Sequence, residues 1–180
     1  MENGNKKIFP KRIGAKIIVP VLILAAIAGM WFLKNKKTQE PYIEDINPDF
    51  TLHVTKELNL EKLKSYGLPI LIDFGADSCL PCREMAPVLV KLNRELQGKA
   101  IIKFVDVWKY QELAQGYPIR AIPTQIFFDK DGKPFKPSDP QGMRMIMYSS
   151  RDTGEHVFTV HEGGMTEEMI RAVFKEMGVE

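Results

Sequence analysis

Cys79 and Cys82 are the only two cysteines of the chain, and two residues, Leu80 and Pro81, separate them. Two thiols at this spacing can close a disulfide. They suit a reversible dithiol, in which one sulfur attacks a disulfide and the other resolves the mixed disulfide. Two other chemistries use such a pair. Zinc would need two further ligands. His156 and His161 are spaced like ligands, but they lie far along the chain from Cys82, unlike a compact finger. A purely structural disulfide gains little from closing so short a loop. The dithiol is the preferred reading, with no metal and no bound cofactor expected. Asp73 is the second group that could do chemistry. It interrupts the apolar run Ile70-Leu71-Ile72-Asp73-Phe74. A carboxylate on such a strand is costly to bury, so its pKa should rise. That suits a group passing a proton to or from Cys82. The alternative is an Asp satisfied by a nearby Lys or backbone amide. Lys103 is one such cation, but alternation leaves its face open, and it is given no role.

These groups need elements to hold them. Ile70–Phe74, bounded by Pro69 and Gly75, reads as a buried strand. Met85, Val88, Leu89, Leu92 and Leu96 form a helix stripe that ends at Gly98. Cys79 then lies at or near a helix N-terminus, where the partial positive charge favours a thiolate. Cys82 is one turn further in. Pro87 removes one backbone donor from this helix and should kink it.

The remaining elements follow in order. Phe50–Val54 alternates and reads as a first strand. Asn59 caps a short helix over Leu60, Leu63 and Tyr66, closed by Gly67. Ile101–Val107 is a strand, Lys109–Gln115 a short helix stopped by Gly116, and Thr124–Phe128 another strand. Asp129-Lys130-Asp131-Gly132 is a turn, with Val157–His161 expected to pair across it. Thr166 caps a last helix with Glu167 and Glu168 in its first turn and Gly178 at its end. The order β-α-β-α-β-α-β-β-α describes an α/β layer fold with a mixed sheet.

A chain of 180 residues holds one domain plus an attached segment. The net charge of +2 gives no argument for nucleic-acid binding, and no repeat or low-complexity tract is evident. Basic residues gather at 1–16, before the uncharged, apolar run Ile17–Leu33. That run is at the short end of what spans a bilayer. A cleaved signal peptide would use Ala26-Ile27-Ala28. The apolar run continues past that point through Trp31, an interfacial residue, so an uncleaved anchor is the expectation. More basic residues precede the span than follow it, which places the N-terminus in the cytoplasm and residues 34–180 outside. No Cys follows the run, so a lipoprotein anchor is not expected. Residues 34–49, polar and containing Pro41 and Pro48, read as a tether for a domain over 50–180.

Three separated features now resemble the thioredoxin superfamily. The first is strand–CxxC–helix with Asp73 on the strand and Pro87 in the helix. The second is Ile119-Arg120-Ala121-Ile122-Pro123-Thr124 just before a strand, which is similar to the family's cis-proline loop. The third is the closing β-β-α with Gly163-Gly164 before the helix. The resemblance covers residues 50–180 and implies a thioredoxin fold, a mixed central sheet flanked by helices, here with an N-terminal transmembrane helix. It implies that Cys79 is the exposed nucleophile, Cys82 the buried resolver and Asp73 a proton relay. It also implies that Pro123 is cis and that Ile122 offers backbone groups to an extended substrate. The tethered form is similar to bacterial envelope thioredoxin-like proteins, some of which work with membrane electron carriers and in cytochrome c maturation.

Three departures qualify this. Ser78 stands where typical thioredoxins have Trp, Leu80-Pro81 replaces Gly-Pro, and residues 134–156 are inserted where the family has a tight hairpin. The implied function is a membrane-tethered thiol–disulfide oxidoreductase. It would reduce protein disulfides with electrons from a membrane dithiol carrier. The rivals are a disulfide oxidase or isomerase, a copper-delivery module using the cysteines with Met143, Met145 and Met147, since soft sulfur selects Cu(I), and a non-redox interaction domain on a thioredoxin scaffold. The methionines read better as one half-buried strand face, and Lys136–Pro140 as a loop. His53, His156 and His161 read as surface or packing residues.

Overall fold

The computed structural model of the protein describes residues 47–179. The basic segment 1–16, the apolar span 17–33 and nearly all of the linker 34–49 lie outside the described residues. Among the described residues, no helix is long and apolar enough to cross a membrane.

Six strands form one mixed sheet: β1 (His53–Val54), β2 (Ile70–Gly75), β3 (Ile101–Asp106), β4 (Thr124–Phe128), β5 (Met145–Ser149) and β6 (His156–Glu162). Their order across the sheet is β1-β3-β2-β4-β6-β5. β1, β3 and β2 are mutually parallel, whereas β4, β6 and β5 each run antiparallel to the neighbour before them. Among the described residues three α-helices accompany the sheet: α1 (Leu60–Lys64), α2 (Leu80–Glu95) and α3 (Glu167–Glu176).

Every residue of β2 is buried, because helices and loops cover both faces of the sheet centre. That is why its sequence is a continuous apolar run rather than an alternation. On one face Leu71, Ile102 and Phe127 pack against Met85, Leu89 and Leu92 of α2 and Ile170, Val173 and Phe174 of α3. On the other face Ile70, Ile72, Phe74, Ile101, Val105 and Ile126 pack with Leu63 of α1. Strand alternation therefore turns Asp73, like Leu71, toward α2. Lys103 alternates with Ile102 and Phe104 and turns to the opposite face. It is not the counter-charge of Asp73. Its Nζ donates to Thr51 O at 2.6 Å, and burial pulls its pKa down to about 8.

Two expected elements are shorter than the sequence implies. The first strand is only His53–Val54, because Pro48–Phe50 is a 3-10 turn capped by Asn47, whose Oδ1 accepts from Asp49 N. The helix expected at Lys109–Gln115 is a single 3-10 turn, Gln111–Ala114, and Tyr110 before it supplies no side-chain cap. The Asp129–Gly132 turn and the antiparallel pairing of β4 with β6 form as expected, but the turn does not join the two strands directly. It folds the chain back so that Phe135 N donates to Phe127 O at 3.1 Å, and the chain then departs. The insert 134–156 supplies the strand β5, which pairs with β6 and forms the sheet edge. Met145 is buried in the core under α2 and α3, Met143 packs partly against it, and Met147 is exposed.

Candidate active site

The chain leaves β2 at Gly75 and enters α2 at Leu80, so the cysteines sit at the strand-to-helix turn. Cys79 is the N-cap of α2, and its Sγ accepts from Cys82 N at 3.4 Å. No acidic residue occupies the first turn, so nothing competes with an anionic sulfur for the positive helix end. The two cysteines form a disulfide, with Cα atoms 5.3 Å apart. Cys79 is half-buried, while Cys82 is only 3% exposed. The outer sulfur is thus the one a partner can reach. The cysteine helix runs on through Pro87 to Glu95, with Leu96 as its C-cap, and Gly98, with a φ of +75°, lies in the turn beyond it.

Gly75 lets α2 start this close to the sheet. A Cβ there would lie 2.9 Å from Phe104 Cε2, 3.2 Å from Cys82 Sγ and 3.4 Å from Cys82 Cβ. Gly75→Ala should therefore cost about 1–3 kcal/mol, as overpacking does. It should also displace Cys82 and slow disulfide exchange. Urea unfolding of the oxidised protein measures the first effect; unchanged stability would mean that ring and sulfur yield freely.

The Ile122–Pro123 bond is cis. Ile122 O lies 3.9 Å from Cys79 Sγ, so this loop borders the disulfide. Three contacts hold it. Thr124 Oγ1 donates to Ala121 O at 2.6 Å, Gly163 N donates to Pro123 O at 2.8 Å, and Arg120 forks onto Glu162 at 2.8 and 3.0 Å.

Asp73 is fully buried on the face that α2 covers. Cys82 Sγ lies over Gly75 on that same face, two residues along β2 from Asp73, roughly 7 Å between Cα atoms. Burial pushes the Asp73 carboxyl up to about 7, against the opposing pull of a bond donated by Gln125 Nε2 to Oδ1 at 2.8 Å. Oδ2 has no hydrogen-bond partner among the described residues.

A second carboxylate braces the turn. Asp106, at the end of β3, accepts from Asp77 N at 3.1 Å, Trp108 N at 3.0 Å and Lys109 N at 3.1 Å. Burial alone would raise its pKa, but these N–H donors and the Lys109 charge outweigh it and hold it below the usual range. Lys109 Nζ also contacts Asp77. Asp106 thus ties the segment before Cys79 to the loop carrying Trp108, an exposed aromatic at the same end of the sheet.

Sequence reasoning picked out Cys79, Cys82, Asp73, Ile122, Pro123, Leu80 and Pro81, and the fold brings all of them to one end of β2 and β4. It passed over Gln125, Asp106 and Gly75. Polar residues inside or ending apolar runs were the available signal. His156 and His161 do not approach the cysteines as ligands. His156 Nε2 lies near Phe158 O and Thr159 Oγ1, and His161 Nδ1 bonds Gln125 Oε1.

Comparison with known proteins adds the following. The family model described as thioredoxin matches residues 50–147, a match that stops inside the inserted strand β5. A thioredoxin of Mycoplasmoides gallisepticum is 36% identical over 81 residues, 45% of this chain and 79% of that one. The chloroplastic thioredoxin Y of Oryza sativa subsp. japonica is 40% identical over 74 residues, and the match spans only 44% of that relative's length. A mutant thioredoxin from Halobacterium salinarum superposes with a TM-score of 0.50 at 26% identity, covering 76% of this chain and 96% of that one.

Proposed function

The chain belongs to the thioredoxin family of thiol–disulfide oxidoreductases, and on that premise we propose that it is a membrane-tethered reductase of protein disulfides outside the cytoplasm. The observation that carries the chemistry is the Cys79–Cys82 disulfide at the N-cap of α2, outer sulfur reachable and inner sulfur buried.

In the reduced protein Cys79, as thiolate, attacks a sulfur of the partner's disulfide. A mixed disulfide forms, and the partner's first thiolate leaves and takes up a proton. Cys82 gives its proton to Asp73 and attacks Cys79 Sγ. The Cys79–Cys82 disulfide closes and the partner's second thiolate leaves. Two electrons have moved from Cys79 and Cys82 to the partner. A dithiol carrier in the membrane reverses the steps and is itself oxidised to a disulfide. The substrate segment lies extended beside Ile122 and Pro123, with exposed Leu80 and Trp108 as apolar flanks.

The tether is supported by the apolar run Ile17–Leu33 and its lysine flanks, and the reducing direction by Pro81 before Cys82. The same residues could run backward as an oxidase or isomerase. The reduction potential of the full-length protein, measured by thiol alkylation against redox buffers, decides between them. A value near or below about −250 mV is expected of a reductant. A value near about −120 mV would make the protein a disulfide donor.

A further inference from the structure

Asp73 does not stand alone. The strand register places Asp73 opposite Gln125 and Gln125 opposite His161, so β2, β4 and β6 carry the three side by side. All lie on the α2 face, and their exposures are 0%, 0% and 1%. Gln125 Nε2 donates to Asp73 Oδ1 at 2.8 Å, and Gln125 Oε1 meets His161 Nδ1 at 2.9 Å. A buried amide and imidazole amid Leu71, Phe127 and Met145 are costly unless bonded, so this chain is a built feature of the core.

The geometry points to Gln125 and His161 as positioning residues that keep the amide nitrogen of Gln125 turned toward Asp73, holding Asp73 as the proton acceptor for Cys82. The inference rests on the proton-transfer role proposed above for Asp73.

The direction of the chain follows from its ends. An ionised carboxylate only accepts, so it needs the amide nitrogen; the amide oxygen then faces His161, which must donate from Nδ1. The reverse arrangement turns the amide oxygen toward a protonated Asp73 and puts the imidazole proton on Nε2. That atom is buried and makes no hydrogen bond among the described residues. A buried N–H without a partner is worse than a bare lone pair. His161 thus biases the amide toward the orientation that serves a carboxylate. A second contact acts the same way: Gln125 Nε2 lies 3.6 Å from Met85 Sδ, an acceptor on α2 one turn beyond Cys82.

The surroundings leave the relay this control. Cys82 lies over Gly75 on the sheet face that Asp73 shares, β3 presents Phe104 there, and Lys103 lies on the other face. His161 is flanked by Glu162 and by Arg144; burial first, and then the Arg144 charge, hold its pKa below the ordinary imidazole value against the opposing pull of the Gly163 backbone and of Glu162.

The test is the carboxyl titration of Asp73, followed by carbon-13 chemical shift in the full-length protein and assigned with Asp73→Asn. His161→Leu should raise the Asp73 midpoint by about 1 pH unit, as loss of an oriented donor to a charged group does. The step in which Cys82 resolves a mixed disulfide should become about tenfold slower below pH 7, with its pH profile displaced to higher pH. His161→Asn, which can still donate from the Nδ1 position, should restore both. Gln125→Met, which fills the same space without a donor, should match His161→Leu and serves if that variant does not fold. An unchanged midpoint in either donor-loss variant overturns the inference, as does a His161→Asn protein shifted as far as His161→Leu. An Asp73→Asn protein that resolves at the parent rate would instead remove the proton-transfer role itself, whatever the midpoint does.

Discussion

Asp73→Asn should stabilise the oxidised protein by about 4 kcal/mol at pH 8 to 9 and by almost nothing near pH 4. The folded carboxyl is pushed up to about 7 by burial, from an ordinary value of 3.8. The folded state therefore binds the proton more tightly than the unfolded chain. Below pH 3.8 both states are protonated and there is no difference. As pH rises above 3.8 the unfolded chain ionises freely, while the folded chain must either keep its proton or bury a charge. The penalty grows through that window and is complete above about 7. At 1.36 kcal/mol per pH unit, the gap between 3.8 and about 7 gives the stated figure. Asn keeps the shape and can still accept from Gln125, so packing should change little. Urea unfolding at pH 4, 6, 7 and 9 measures the difference, and a difference flat across that range would contradict it. The gain in stability should coincide with slower resolution by Cys82, the trade-off expected where a strained group serves function.

Cys82→Ser should abolish turnover, by a factor on the order of a thousand or more. It should also convert the protein into a trap. Cys79 keeps its place at the N-cap of α2 and its half-exposed sulfur, so it can still attack a partner disulfide. The buried serine hydroxyl cannot resolve the product, and the mixed disulfide persists until an added thiol releases it. Cys79→Ser should form no such adduct, because Cys82 is only 3% exposed and lies behind the first turn of the helix. Non-reducing electrophoresis with a disulfide-bearing protein reads both variants directly. Adducts that favour Cys79→Ser would reverse the assignment of the two sulfurs. Reversal would also undercut the argument for Asp73, since that group lies on the face beside Cys82.

Much of the site was legible in local sequence. The apolar run Ile70–Phe74, the stripe from Met85 to Leu96 and the cap at Asn59 follow from periodicities and hydrogen bonds that span only a few residues. The strand–CxxC–helix turn is such a local unit, and so is the helix capped by Thr166. Asp73 was legible because an acid inside an apolar run is conspicuous whatever lies around it.

What the tertiary structure decided concerns residues far apart in the chain. Alternation assigns a side chain to one of two faces only once a neighbour's face is known, so Lys103 could not be separated from Asp73 until β3 was paired with β2. Gln125 and His161 look ordinary in their own strands. They become partners of Asp73 only through the register of β2, β4 and β6, and an insert stands between β4 and β6. The same insert contributes β5, because the outer edge of β6 offers unpaired backbone groups that the strand preceding it in a hairpin can satisfy. Gly75 shows the limit most plainly. Nothing in Phe74-Gly75-Ala76 reveals that Phe104 and Cys82 will close on that position. Local propensity thus placed the two sulfurs and the acid on their elements. The packing of α2 against three paired strands determined what surrounds them, because contact and register are properties of separated segments.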